Sequence, residues 1–213
     1  MVNVGRLMRN GRGFLLAYDH GFEHGPVDFD ADNIDPQYVF DIAEKSGVFT
    51  CIAVQKGIAE KYYRPEYKTP LVVKLNGKTG YHKGEELFSP QNCSVEEAVK
   101  LGAAGVGYTI YVGSEREGES IAEFSKIEEE AHAKGLPVVM WAYPRGKHIG
   151  EAEHSKENLA YAARLALELG ADVVKVAYAG NIDDMRWVVA AAGKVKVLVV
   201  GGNKVNEEMV LRQ

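Results

Sequence analysis

Two lysines that lie within apolar runs are the residues of this sequence best suited to chemistry. Lys175 occurs in ADVVKVAY (171–178) and Lys74 occurs in LVVKLNG (71–77). Burying an ammonium group is costly unless it is paired or neutralised, and both burial and a neighbouring cation lower a lysine pKa. A neutral amine attacks carbonyl carbon. The pattern indicates a nucleophilic lysine, and the alternative is a structural ion pair or a lysine that reaches water from a strand end.

Acidic and imidazole side chains follow the first apolar run. The carboxylate of Asp19 could transfer protons or hold a lysine, and the alternative is an Asx turn. His20 and His24 are four residues apart, but no third His or Cys lies nearby, and Gly21 and Pro26 disfavour a helix here. We therefore expect no metal site.

A third candidate group lies in WAYPRG (141–146). Trp141 and Tyr143 share one face of a strand, because strand side chains repeat every second residue. Tyr143 could transfer protons near a lysine, and Arg145 could bind a phosphate or a carboxylate. The alternative for both aromatic residues is packing in the core.

A glycine pair after the apolar run 195–200 is a candidate phosphate site. Gly201 and Gly202 would let backbone N–H groups approach a phosphate, and Lys204 adds positive charge. An ordinary tight turn is the alternative.

Short apolar runs alternate with helical patterns along the whole chain, which predicts repeated βα units and a parallel sheet, open or closed into a barrel. A (β/α)₈ TIM barrel needs eight strands, whereas seven runs are present. The segment 81–94 is irregular and predicts a loop or small hairpin. The runs are 14–18, 48–54, 71–75, 105–111, 136–143, 171–178 and 195–200, and the helical patterns start near 35, 94, 121, 158, 183 and 206.

Composition excludes some classes of partner. The formal net charge is −5 without a block of like charge, which argues against nucleic acid as a main partner. No apolar stretch reaches about 18 residues, so we expect no membrane span. The two cysteines form no CxxC motif, and we expect both to be reduced in a cytoplasmic protein.

Taken together, seven segments resemble archaeal-type class I fructose-1,6-bisphosphate aldolases, a DeoC-like family with a bacterial branch. They occur in the family's order and cover nearly the whole chain. The segments are LLAYDHGFEHGP (15–26), GIAEKYY (57–63), KLNGKT (74–79), NCSVEEA (92–98), VGYTIY (106–111), WAYPRG (141–146) and ADVVK (171–175).

The resemblance implies an α/β fold of the (β/α)₈-barrel type and a role for each candidate. Lys175 would be the Schiff-base lysine and Tyr143 the main proton-transfer residue, in a pocket with Asp19 and Trp141. The phosphate loop would be formed by Gly201, Gly202 and Lys204. We take His20, Lys74 and Arg145 as further substrate-binding residues.

The resemblance also implies a lyase that needs no cofactor. It would cleave fructose 1,6-bisphosphate reversibly to dihydroxyacetone phosphate and glyceraldehyde 3-phosphate in glycolysis and gluconeogenesis, within a large homo-oligomer, often a decamer. The family continues into an eighth strand whose Gly-Arg pair completes the phosphate site. We therefore expect residues 1–213 to form one barrel domain that is truncated at its C-terminus.

Three other functions compete with this one. A related Schiff-base aldolase or transaldolase, of the 2-amino-3,7-dideoxy-D-threo-hept-6-ulosonate synthase type, would share the fold, the lysine and the tyrosine. A metal-dependent aldolase would use His20, His24 and other ligands. A non-catalytic barrel would bind a sugar phosphate without turnover.

Overall fold

The computed structural model of the chain describes residues 2–81 and 84–200, and in this part seven parallel strands form one sheet. Each strand is hydrogen-bonded to the next one along the chain, in the order β1 to β7. The seven predicted strands are therefore confirmed. They are β1 (Leu15–Tyr18), β2 (Cys51–Gln55), β3 (Leu71–Lys74), β4 (Gly105–Val112), β5 (Val138–Pro144), β6 (Val173–Val176) and β7 (Lys196–Val199).

Helices connect successive strands, and their starts follow capping chemistry. The side chains of Asp35, Ser94, Ser155 and Asn181 each accept a hydrogen bond from a backbone N–H in the first helical turn. Among residues 2–81 and 84–200, no helix is long and apolar enough to cross a membrane. The helices are α1 (His20–Glu23), α2 (Pro36–Ser46), α3 (Lys56–Tyr62), α4 (Val95–Lys100), α5 (Glu117–Ala133), α6 (Lys156–Glu168) and α7 (Ile182–Ala191), with 3₁₀ turns η1 (Val4–Leu7) and η2 (Pro26–Asp28).

One expectation about the backbone after β1 is wrong. Gly21 and Pro26 were expected to disfavour a helix, but His20–Glu23 forms the single α-helical turn α1. Gly21 is accommodated in this turn, and Gly25, with φ of 76°, separates α1 from η2, in which Pro26 takes the first position. Proline therefore starts the next turn rather than interrupting α1.

Strands β2 to β6 are largely buried on both faces, which explains why they read as continuous apolar runs. Outward side chains such as Val54, Tyr108 and Ile110 pack beneath the helices in the larger hydrophobic core. Inward side chains form a second cluster with Leu7 of η1, and it comprises Leu7, Cys51, Ala53, Val72, Val139, Trp141 and Val173.

The sheet curls into a partial barrel. Leu15 of β1 and Leu198 of β7 pack against the same inner cluster, so the two outermost strands approach each other across it. Within the part of the chain that the structure describes, no ladder joins β7 to β1. The inner cluster fills the end of the partial barrel at which the strands begin and leaves polar side chains at the other end.

Phe124 belongs to the larger hydrophobic core, and its replacement would test how much that core contributes to stability. Its side chain is fully buried between α5 and the sheet, and its ring lies 5.9 Å from that of Tyr108. We expect Phe124→Ala to lower the free energy of unfolding by about 3–5 kcal/mol, because a large cavity would remain. Urea denaturation would measure the loss. Tyr161→Ala is the matched control, since Tyr161 is 65% exposed and its removal should change stability by about 0.5 kcal/mol or less.

Candidate active site

Reactive side chains converge where the strands of the partial barrel end. Lys74 is the last residue of β3, and Asp19 directly follows β1. On β5, Trp141 stands beside Lys175 of β6 in the sheet register, and Tyr143 stands beside Tyr111 of β4. The predicted shared face of Trp141 and Tyr143 is confirmed, since both pack in the inner cluster. Residues from five strands or their ends thus meet at one mouth, which in barrels of this type is the catalytic end.

Lys74 is held in an ion pair. Its side chain is 1% exposed, and its Nζ lies 3.2 Å from Oδ2 of Asp19 and 3.7 Å from Oε1 of Glu23. The same Nζ lies 4.8 Å from the centroid of the Trp141 ring. Two carboxylates and an aromatic face therefore surround this amine. The structural ion pair that was an alternative for both lysines is therefore found at Lys74.

Lys175 is influenced by the same charged groups but forms an ion pair with none of the carboxylates that the structure describes. Its Nζ is 5.1 Å from the Trp141 ring centroid. Burial is the largest influence on the pKa of Lys175, and it lowers that pKa. The negative charges of Asp19 and Glu23 act in the opposite direction, whereas the positive charge of Lys74 lowers the pKa further. The net result is a lowered pKa. A lowered pKa increases the fraction of neutral amine, which is the nucleophilic form. Of the two lysines, Lys175 is the one suited to attack a carbonyl.

Asp19 remains ionised between the two lysines. Burial alone would raise its pKa, but the positive charges of Lys74 and Lys175 and the hydrogen bond from Lys74 outweigh burial and lower it. The carboxylate therefore serves as the counter-ion of Lys74.

The two tyrosines at the mouth are kept protonated. Burial, followed by the negative charges of Asp19 and Glu23, raises the pKa of Tyr143 far above its ordinary value. Burial and Glu23 raise the pKa of Tyr111 to about 12. A neutral phenol can donate a proton to carbon or oxygen, so Tyr143 can act as an acid.

Arg145 lies at the rim of the site. Its guanidinium carbon is 5.1 Å from the centroid of the Tyr143 ring, and its Nε lies 3.1 Å from Oε2 of Glu153. The Arg145 side chain is 44% exposed, so its guanidinium can reach a bound anion.

Glu23 was missed by reasoning from the sequence. It lies four residues after Asp19, a spacing that places two carboxylates together only if the chain is helical between them. The expectation that Gly21 and Pro26 prevent a helix concealed this pairing. In the structure α1 brings Glu23 to Lys74.

The remaining predicted residues lie elsewhere. The His20 ring packs edge-on against Tyr18 and Phe29, with centroid distances of 5.5 Å and 5.2 Å. Its substrate-binding role stays a prediction. The predicted phosphate loop of Gly201, Gly202 and Lys204 lies outside the described residues.

Gly107 on β4 gives the Trp141 ring its place. A Cβ at position 107 would overlap Cζ3 of Trp141 and would lie 3.4 Å from Cδ of Lys74. Only glycine therefore leaves room for the indole, which lies close to both lysines.

Comparison with known proteins places these features in a family. A model of the DeoC/LacD family of aldolases matches residues 14–213. The chain is 50% identical to a class 1 fructose-bisphosphate aldolase of Thermoproteus tenax, over 96% of the chain and 77% of that protein. It is 31% identical to a 2-amino-3,7-dideoxy-D-threo-hept-6-ulosonate synthase of Halobacterium salinarum, over 99% of the chain and 77% of that protein.

A solved structure resembles this fold closely. It is an archaeal fructose-1,6-bisphosphate aldolase whose catalytic lysine is covalently bound to the carbinolamine intermediate of the substrate. The TM-score is 0.91 at 47% identity, and the match covers 98% of this chain and 82% of the other.

Proposed function

Since the chain belongs to the DeoC/LacD family of aldolases, we propose that it is a class I fructose-bisphosphate aldolase in which Lys175 forms the Schiff base. The observation that carries the proposal is the contrast between two buried lysines: Lys74 is paired with Asp19 at 3.2 Å, and Lys175 has no such partner among the described residues. The identity of 50% to the Thermoproteus tenax aldolase supports the substrate. It also favours fructose 1,6-bisphosphate over the substrates of the synthase, to which the identity is 31%.

The geometry supports the following steps of the reaction on fructose 1,6-bisphosphate. Neutral Lys175 attacks C2 of fructose 1,6-bisphosphate, and loss of water gives an iminium ion, which is a better electron sink than the ketone. The C3–C4 bond breaks as a base removes the proton of the C4 hydroxyl, glyceraldehyde 3-phosphate leaves, and an enamine remains on Lys175. Tyr143 protonates C3 of the enamine, and hydrolysis then releases dihydroxyacetone phosphate. Asp19 holds Lys74 in an ion pair, and Lys74 in turn lowers the pKa of Lys175.

Borohydride reduction tests the proposal directly. The protein is incubated with dihydroxyacetone phosphate, the iminium is reduced to a stable secondary amine, and the modified peptide is mapped by mass spectrometry. Modification of Lys175 supports the proposal. Modification of Lys74 instead, or no modification despite binding of the sugar phosphate, would contradict it. The second outcome would favour the non-catalytic barrel.

The charge of Lys74 should set the acidic limb of the pH profile. In Lys74→Met the lowering effect of Lys74 is lost, so the pKa of Lys175 should rise, and each unit of rise leaves about a tenth of the neutral amine. We expect the acidic limb of kcat/KM to move to higher pH. Lys74→Arg, which keeps a cation, is the control and should move the limb less. An unchanged pH profile in Lys74→Met would remove this role.

The finer parts of the function follow the same resemblance. We expect Gly201, Gly202 and Lys204 to bind one phosphate of the substrate, with Arg145 and His20 as further contacts. We also expect residues 1–213 to act as one domain, in a cytoplasmic homo-oligomer that serves glycolysis and gluconeogenesis. Light scattering coupled to size-exclusion chromatography measures the oligomeric state, and a monomer would contradict that part.

A further inference from the structure

A threonine hydroxyl on the inner face of the sheet has no hydrogen-bond partner among the described residues. Thr109 lies on β4 and is 1% exposed, and its Oγ1 is buried and unpaired. An unpaired polar atom inside a protein is unfavourable, and each one in a native structure calls for an explanation. Valine has nearly the same shape without the hydroxyl, and it fills inner positions of β3, β5 and β6. The hydroxyl at position 109 is therefore not needed for packing.

One side chain satisfies the backbone of Thr109. Oδ1 of Asn76 accepts a hydrogen bond from the N–H of Thr109 at 2.8 Å, and Nδ2 of Asn76 donates to the carbonyl oxygen of Thr109 at 2.9 Å. Asn76 is itself fully buried. Both backbone groups of Thr109 thus have partners, and its hydroxyl is the polar group that remains for a ligand.

The register places Thr109 at the depth of the reactive amine. Thr109 pairs with Trp141, and Trp141 pairs with Lys175, so the three residues share one level of the inner face. The Trp141 indole packs against Gly107, which lies two residues before Thr109 and so nearer to the end at which the strands begin. Tyr143 lies one level nearer to the mouth than Trp141. Thr109 is therefore on the mouth side of the indole, between it and the level of the proposed acid.

The order of the strands indicates which substrate group Thr109 would meet. The proposed phosphate contacts follow β7, Lys175 on β6 binds C2, and Tyr143 on β5 protonates C3. A substrate that obeys these assignments runs from β7 toward β4, with C1 first and C3 nearest to Thr109. In the iminium of dihydroxyacetone phosphate, C1 carries the phosphate and C3 carries the only hydroxyl group of the carbon chain.

We propose that Thr109 is a specificity-determining residue, whose hydroxyl forms a hydrogen bond with the C3 hydroxyl of the ketone bound to Lys175. This inference rests on the proposed function, since it names the kind of ketone that the same site selects. Contacts of this kind commonly form only when the substrate binds. A site that bonds a substrate hydroxyl rejects the analogue that lacks it, because the buried protein group is then left unpaired.

The test compares two ketones that differ by this hydroxyl group. Dihydroxyacetone phosphate carries it, and hydroxyacetone phosphate has a methyl group in the place of the hydroxymethyl group. Borohydride traps the iminium that each ketone forms on Lys175, and the concentration that gives half-maximal trapping is measured. In the unmodified enzyme we expect this concentration to be about tenfold lower for dihydroxyacetone phosphate, which is the effect of one hydrogen bond.

Thr109→Val removes the hydroxyl and keeps the shape. The half-maximal concentration of dihydroxyacetone phosphate should rise about tenfold, whereas that of hydroxyacetone phosphate should stay within about twofold. The preference between the two ketones should therefore fall by about the same factor of ten. The urea midpoint should be maintained or increased, since the hydroxyl that is lost has no partner among the described residues.

Three further variants complete the experiment. Thr109→Ser keeps a hydroxyl at this position and should keep most of the preference. Thr109→Ala removes the hydroxyl and gives the same comparison should Thr109→Val fail to fold. Thr69→Val is the matched control, because Thr69 is also buried but its Oγ1 donates to the carbonyl oxygen of Ala43 at 3.1 Å. That control should lower the urea midpoint and leave the preference unchanged.

The contrary outcomes are distinct. Equal changes for both ketones in Thr109→Val would show that Thr109 serves the fold, and unchanged values for both would show that its hydroxyl meets no substrate group. Either result overturns the inference, as would an unmodified enzyme that traps the two ketones equally well. Failure of the unmodified enzyme to trap either ketone would instead overturn the proposed function.

Discussion

Replacing Lys175 with methionine should abolish cleavage of fructose 1,6-bisphosphate, with a loss of at least about 10⁴-fold in kcat. Methionine has nearly the length of lysine and suits a buried position, but it has no nitrogen to form an iminium. Without that electron sink, the C3–C4 bond would have to break through an unactivated ketone. A coupled assay of glyceraldehyde 3-phosphate formation measures the loss.

Two measurements separate loss of chemistry from loss of structure in Lys175→Met. Borohydride should leave no adduct on the protein with either substrate. The urea midpoint should be maintained or increased, because the variant removes a buried amine whose burial disfavours its charged form. Retention of more than a hundredth of the activity in a folded variant would show that another residue is the nucleophile.

Removal of the Tyr143 hydroxyl should lower cleavage by about 10²- to 10⁴-fold, which is the range of general acid–base catalysis. Tyr143→Phe keeps the buried ring on the inner face and removes only the proton donor. Lys175 should still form the iminium, and C3–C4 cleavage should still be possible, but the enamine would await a proton. Borohydride does not reduce an enamine, so trapping from fructose 1,6-bisphosphate should decrease sharply.

The activity of Tyr143→Phe decides whether Tyr143 is the acid. Tyr143→Phe should have little activity and should accumulate a species that resists reduction. Full activity in Tyr143→Phe would show that another group is the acid. Tyr111→Phe would then be the next variant to assay. The pKa of Tyr111 is raised to about 12, so it too is a neutral donor near pH 7.

The sheet could be predicted well from the sequence because parallel strands buried on both faces read as apolar runs. The run 171–178 contains β6, and the run 105–111 nearly coincides with β4. The common face of Trp141 and Tyr143 also followed from spacing alone, since alternation in a strand is a fixed geometric property.

The pairing of the charges could not be predicted in this way. Lys74 and Lys175 have similar surroundings in the sequence, and only distances of a few ångströms show that Asp19 binds Lys74. The position of Glu23 depends on the single helical turn α1, which was not expected because it contains Gly21. Local propensity over four residues is weak compared with tertiary contacts, and an ion pair to a buried lysine is such a contact.

The missing side chain at Gly107 has a consequence for how this site can change over time. Because Trp141 occupies the space that a methyl group would need, any larger residue at position 107 would displace the indole, whose ring centroid lies 4.8 Å from Nζ of Lys74 and 5.1 Å from Nζ of Lys175. A change of specificity toward other aldehydes would therefore require substitutions elsewhere in the site, or a joint change of Trp141 and Gly107. Substitutions that reshape this part of the site should therefore also change the surroundings of the Lys175 amine.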